Sequence, residues 1–170
     1  MRLAFIVLVV KHVSMHFYHA KTLDQILQLE PLARSALSES RYSKAVFSKE
    51  KFHKRAQEAA NAPRHHGVLV AEHKEQPIGC IYCALGEPLV GTGLLIASVH
   101  ILFVEPHIRK TILSGKATLG LLNGLIAWTK ARGGNEILIH ATSGVKVEAT
   151  REALTKRGFE VCGETMSYSV

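Results

Sequence analysis

Val104-Glu-Pro-His-Ile-Arg-Lys-Thr-Ile-Leu-Ser-Gly-Lys-Ala117 is the stretch on which the reading of this chain turns. An apolar run, Val99–Val104, leads into Pro106, and a basic loop carries Arg109, Lys110 and Lys116 with Gly115 and Ala117 at its end. A long amphipathic helix is predicted to open at Gly115 or Lys116, its buried face marked by Leu119, Leu122, Leu125, Ile126 and Trp128, and Arg132-Gly-Gly134 ends it. A strand, a basic Gly-containing loop and a helix start together suit a phosphate group. The first backbone N–H groups of a helix lack internal acceptors, and the helix dipole favours an anion beside them.

The order around this unit reads outward in both directions. Upstream, His16–His19 is a short strand, and Thr22 with Gln25 forms a capping box before a helical pattern that Pro31 kinks or divides. Ser38–Val46 is a polar loop, and Ser48 caps a helix over Lys49–Ala60. Val68–Glu72 and Ile78–Leu85 read as a hairpin around the turn His73–Pro77. Gly86–Gly93 is a loop, and Leu94–Val104 is apolar enough for a central strand buried on both faces. Downstream, Glu136–Ala141 is a strand, Thr142-Ser-Gly144 a turn, and Val147–Lys156 a helix stopped by Arg157-Gly158. Phe159–Cys162 and Thr165–Val170 are predicted closing strands. The order β-αα-βββ-α-β-α-ββ predicts one mixed α/β domain, without repeat or linker.

Composition bounds the function. The 170 residues suit one core, and 47% hydrophobic with 21% charged residues is ordinary for a globular domain. A net charge of +7 and a pI near 9.5 favour anionic partners without choosing among nucleic acid, acidic protein and phosphorylated cofactor. Cys80, Cys83 and Cys162 make no disulfide framework and fit a reducing compartment. Cys80 and Cys83 have CxxC spacing, but no second pair of zinc-finger spacing follows, so they read as small buried hydrophobes. His16 and His19 fall on opposite faces of a strand, and no metal site is expected. The basic stretch Lys49–Arg64 interleaves Glu50 and Glu58 and reads as a solvated helix face rather than a nucleic-acid patch. Leu3–Val10 is too short to span a bilayer and has no small-residue cleavage site after it. Residues 1–14 are therefore read as an extension or an added strand ahead of a domain at 15–170, and the expected location is cytoplasmic, with no membrane partner.

From Met15 to Tyr168 the chain resembles the GNAT superfamily of acyl-CoA-dependent N-acyltransferases. The resemblance rests on the Gly67-Val-Leu-Val-Ala-Glu72 and Pro77-Ile-Gly-Cys-Ile81 hairpin, and on Leu102-Phe-Val-Glu-Pro106 before the basic loop. It also uses the Thr142-Ser-Gly144 strand end and the Lys156-Arg-Gly-Phe159 helix exit. The family's pyrophosphate loop, Gln/Arg-x-x-Gly-x-Gly/Ala, falls on Ile112-Leu-Ser-Gly115-Lys-Ala117. Gly115 and Ala117 match, Ile112 does not, and the basic pair Arg109-Lys110 lies upstream.

The resemblance implies a GNAT-like domain, a central mixed and mostly antiparallel sheet flanked by helices. It implies an N-acetyltransferase that uses acetyl-CoA as co-substrate and transfers the acetyl group directly to a primary amine of a small molecule or peptide. A splay between the strands ending near Val104 and Ala141 would take the pantetheine arm. Phe103, Val104, Arg109, Lys110, Leu113, Ser114, Gly115, Lys116, Ala117, Thr142 and Ser143 are the implied cofactor-binding residues. His100 and Glu105 are the polar groups of the central strand suited to taking a proton from the amine. The family's acidic Tyr on the last helix is replaced by Leu154. Arg41 and Tyr42 are candidates for acceptor binding, in a region that often walls the acceptor site. Acceptor sites in this fold come from its least regular segments, here Ser38–Val46 and Gly86–Gly93. Two other readings remain open at this stage, a non-catalytic acyl-CoA-binding module and a basic nucleic-acid-binding protein. The edge presented by the closing strands would allow a homodimer.

Overall fold

A computed structural model describes residues 14–141, 143–163 and 165–168. The sheet has five strands in sequential order, β1 (His16–His19), β2 (His66–His73), β3 (Gln76–Gly86), β4 (Ile96–Val104) and β5 (Glu136–Ile139). The first three pairings are antiparallel, and β4–β5 is parallel. The expectation of a mixed, mostly antiparallel sheet flanked by helices holds.

Three helices lie between β1 and β2: α1 (Leu23–Leu27), α2 (Glu30–Glu39) and α3 (Lys49–Asn61). The Thr22–Gln25 capping box forms, and Pro31 falls in the first turn of α2, so one periodic pattern becomes two helices. A proline is tolerated there because the missing N–H has no helical acceptor in any case. The apolar stripes of α1, α2 and α3 cover one sheet face, where Ile26, Leu29, Leu32, Ala56 and Ala59 pack on Val68, Val70, Cys80 and Phe103. The other face is covered by α4 (Ile112–Lys130), whose Leu121, Leu122, Leu125 and Trp128 lie on Leu69, Ile81, Cys83 and Val99. α5 (Val147–Thr155) buries no residue fully. No described helix is long and apolar enough to cross a membrane.

The β2–β3 hairpin turns through Lys74 and Glu75, with φ of 51° and 61°, between the paired His73 and Gln76. Two consecutive left-handed residues in a two-residue loop are the twist-matched solution for a hairpin, normally supplied by Asn-Gly. L-residues with side chains are strained there by about 1 kcal/mol each. Glu75→Gly is therefore expected to raise stability by roughly 0.5–1 kcal/mol, read as a higher urea midpoint at unchanged slope. A lowered midpoint would show that the Glu75 side chain contributes more than its backbone costs.

Several expectations need correcting. α4 begins at Ile112, not at Gly115 or Lys116, because Thr111 is extended (φ −115°, ψ 164°) and takes the cap position. β4 and β5 are shorter than expected, Ile96–Val104 and Glu136–Ile139. β4 is not buried throughout, since His100 is exposed. The closing strands do not form among the described residues. Phe159–Gly163 and 165–168 are irregular, and Val161, Met166 and Tyr168 are exposed. Alternating apolar residues mark what a ladder can use, but a ladder also needs a partner edge, and β5 offers four residues. Residues 1–13, which are all of the predicted extension but Ser14, lie outside the described residues.

Candidate active site

The site begins with a mismatch between strands. Tyr82 on β3 faces Ile101, but the next residue, Cys83, faces Val99, so His100 has no opposite number. An extra residue of this kind is a β-bulge, which bends the strand and re-aims the side chain. On the other edge of β4, parallel pairing with β5 runs from Ile96↔Glu136 to Val99↔Ile139 and stops. His100 and His140 are the first residues past the last pair. From His100 to Val104 the β5-side edge of β4 has no strand partner among the described residues. Ligand sites in sheets of this kind lie at the carboxyl ends of parallel strands, where the neighbours diverge.

The divergence opens a cleft of about 530 Å³. Its floor includes His100, Ile101 and Phe103, and its walls are α2, the start of α4, the β5–α5 segment and α5. A smaller cleft of about 330 Å³ lies elsewhere, between β1 and α4, away from the strand ends.

His100 is flanked by the Tyr82 ring at 5.6 Å, and Tyr82 stacks on His66 at 6.0 Å with its hydroxyl 3.2 Å from His66 Nδ1. Partial burial, then the positive fields of His140, Arg55 and His66, hold the His100 imidazole below the usual histidine pKa. A neutral imidazole at neutral pH can accept a proton. His66 is also lowered, mainly by burial. His19 is lowered by burial, against a hydrogen bond with the His66 carbonyl that raises it.

These three histidines make stability pH-dependent. Each takes up its proton at a lower pH when folded than when unfolded, so the unfolded chain binds more protons as pH falls below about 6.5. Their contribution is complete above that value and is lost as pH falls through the folded values. The urea midpoint is expected to be lower at pH 5.5 than at pH 7.5. A flat or rising midpoint would mean that the three rings are not held neutral by the fold.

The other expected site residues divide. Phe103, Val104, Arg109, Ser114, Ser143 and Tyr42 line the cleft. Arg109 is not a free cation. Its Nε donates to the Val104 carbonyl at 2.8 Å, its guanidinium lies over Phe103, and it forms an ion pair with Glu39 of α2 at 2.5 Å. Lys110, Gly115 and Lys116 are exposed, at or near the N-terminus of α4, and do not line the cleft. Leu113 packs against the core. Ala117 is fully buried, and as the sixth residue of α4 its N–H is turned into the helix, because α4 begins earlier than the sequence suggested. Glu105 does not line the cleft. Its carboxylate accepts from Ser35 at 3.4 Å and lies 3.9 Å from His107, since it has left β4 on the side of α2. Arg41 also stands outside the lining, but its N–H donates to the Ser143 carbonyl at 2.7 Å, which ties the α2–α3 loop to the β5–α5 segment. Thr142 lies outside the described residues.

Sequence reasoning missed Glu39, His140 and Lys146, all in the cleft. His140 carried a usable signal, a polar residue ending a strand parallel to the central one. Burial pushes both strand cysteines, Cys80 and Cys83, up to about 12, so neither serves as a thiolate.

The fold is that of the GNAT N-acetyltransferases. Solved structures match the chain in shape at low identity. AAC(6')-Iy, in complex with the bisubstrate analogue CoA-S-monomethyl-acetylneamine, has a TM-score of 0.66 at 14% identity, over 92% of this chain and 98% of that one. Glucosamine-6-phosphate N-acetyltransferase from Arabidopsis thaliana gives 0.62 at 14%, over 92% and 98%. A transcriptional regulator from Bacillus halodurans C-125 gives 0.67 at 17%, over 92% and 100%. No protein-family model matches the sequence. No curated protein matches it.

Proposed function

We propose that this protein is an acetyl-CoA-dependent N-acetyltransferase that transfers an acetyl group directly to a primary amine. The observation that carries the reading is the parting of β4 and β5 after Val99↔Ile139, which leaves a free strand edge along a cleft with His100 at its head.

The residues present fit the co-substrate. The free edge from His100 to Val104 can pair with the amides of a pantetheine arm as an added strand would. The start of α4 is uncapped, because the Thr111 hydroxyl donates to the Ile108 carbonyl instead of accepting from the first turn. No acidic side chain occupies that turn, and Lys110 and Lys116 stand exposed beside it. That combination suits a pyrophosphate. Acetyl-CoA, when bound, supplies an activated thioester whose carbonyl carbon takes the amine nitrogen as the C–S bond breaks.

His100 is assigned the proton from the acceptor ammonium, which frees the nitrogen lone pair for attack. Ile101, Phe103 and Leu122 supply apolar lining in the same cleft. The nitrogen loses a second proton as the tetrahedral adduct collapses; one of the two protons ends on the departing thiolate and the other passes from His100 to solvent, so the products are the amide, free CoA and a proton. Glu105, turned towards Ser35, has no part in this assignment.

A second reading has one observation behind it. Leu154 lines the cleft where an acid would serve the leaving thiol, and of the α5 residues in the lining only Thr150 is polar. This favours a module that binds acyl-CoA without turnover. Calorimetric titration with acetyl-CoA, followed by thiol release on adding amines, separates the readings. Saturable binding with thiol release supports the enzyme, binding without release the module, and no binding at millimolar ligand removes both.

A further inference from the structure

Charge in the cleft bears on which amine enters it, an inference that rests on the acetyl-transfer reading above. An amine acceptor arrives as a cation, and a polyamine arrives with several positive charges. A site for a polycation needs carboxylates left free to meet them, because each desolvated ammonium requires an acceptor. Among the described residues the cleft has one carboxylate, Glu39, and it is engaged by Arg109.

Basic side chains predominate around the cleft, and Glu148 in the first turn of α5 is paired with Arg151 at 3.6 Å. Lys146 lines the cleft with no ion-pair partner among the described residues. It sits at φ 43°, a left-handed conformation costly for a residue with a side chain, at the N-cap of α5. The loop Ser40–Val46, which contributes Tyr42, holds Arg41 and Lys44 and no acid. In the loop after β3, the carboxylate of Glu87 is occupied by the Gly93 N–H at 2.8 Å. His100 and His140 add positive charge whenever they are protonated.

We infer that the acceptor is a primary amine that also carries an anionic group, a phosphate or a carboxylate, with Lys146 as the residue that meets the anion. The amine end is then directed to His100 and the acidic end to the mouth between α5 and the α2–α3 loop. A polycationic amine, such as an aminoglycoside, is disfavoured by the same charges.

The test titrates glucosamine 6-phosphate, glucosamine and spermidine into the full chain, each with and without saturating CoA, so that turnover is not required. Glucosamine 6-phosphate is expected to bind more tightly than glucosamine by on the order of tenfold, the effect of one well-placed charge contact, and spermidine most weakly. The preference should shrink in 0.5 M salt and invert in Lys146→Glu. A circular dichroism melt of Lys146→Glu, together with the milder Lys146→Gln, shows whether the fold survives. Equal binding of glucosamine and its phosphate overturns the inference, as does tighter binding of spermidine or no saturable binding of any of the three. Phosphate preference in a protein that fails to bind acetyl-CoA would instead sink the acetyl-transfer reading and leave the charge argument standing.

Discussion

Replacing His100 by glutamine is expected to lower kcat/KM for acetyl transfer by about 10²–10³-fold, the usual contribution of a positioned general base. Glutamine keeps much of the volume and the polarity, so packing against Tyr82 survives and acetyl-CoA affinity should stay within about threefold, since the strand edge proposed to pair with pantetheine is backbone. The sharper readout is the pH profile. With its pKa held below the ordinary histidine value, the wild-type acid limb should fall below pH 6.5. That limb should vanish in His100→Gln. His140 supplies a second handle, because its positive field is one of the influences that lower His100. His140→Gln should move the acid limb upward without abolishing it. If His100→Gln keeps both its rate and its acid limb, another group takes the proton and the bulge has only a shape role.

The sequence made the sheet legible because each strand there carries its own signal. The hairpin over 66–86, the apolar run into Val104 and the capped helices at Thr22 and Ser48 are local patterns, and they formed near where they were expected. Glycine was a poor marker for the start of α4. Gly115 adopts ordinary helical geometry, and the boundary was set by Thr111, whose extended backbone leaves no distinctive residue pattern. The closing strands were misread for the opposite reason. Their pattern is local, but pairing is not, and the short β5 gave them no long edge.

The candidate site was legible only in outline. His100 could be named from its position on a central strand, but nothing in the sequence shows that it is the unpaired residue of a bulge. The pairing of Arg109 with Glu39 joins residues seventy positions apart, and a basic loop read alone leaves the arginine free. That pairing engages one cation and the one carboxylate that the described residues bring to the cleft. Lys110, Lys116 and the uncapped first turn of α4 are then the groups that the proposed pyrophosphate site relies on, which makes Gly115 the position to probe.

Gly115 permits a test in which stability and binding move in opposite directions. A Cβ added there meets nothing within 4 Å, and the backbone is helical, so a side chain meets neither clash nor strain. Gly115→Ala should raise stability by about 0.5–1 kcal/mol, because glycine in a helix is disfavoured by roughly that amount. Gly115→Glu should also fold well, since a carboxylate near a helix N-terminus is favoured by the dipole. Yet it places a negative charge where the pyrophosphate is proposed to sit. Like charges brought together at an interface cost several kcal/mol, so acetyl-CoA affinity is expected to drop by on the order of a hundredfold or more. Calorimetry on the two variants, with a thermal melt of each, reads both effects. A Gly115→Glu protein that melts at or above the wild-type temperature and has lost acetyl-CoA fixes the anion site at the start of α4. If it still binds acetyl-CoA with wild-type affinity, the pyrophosphate sits elsewhere, and the exposed Ile112 one turn earlier stands where that site fails to form.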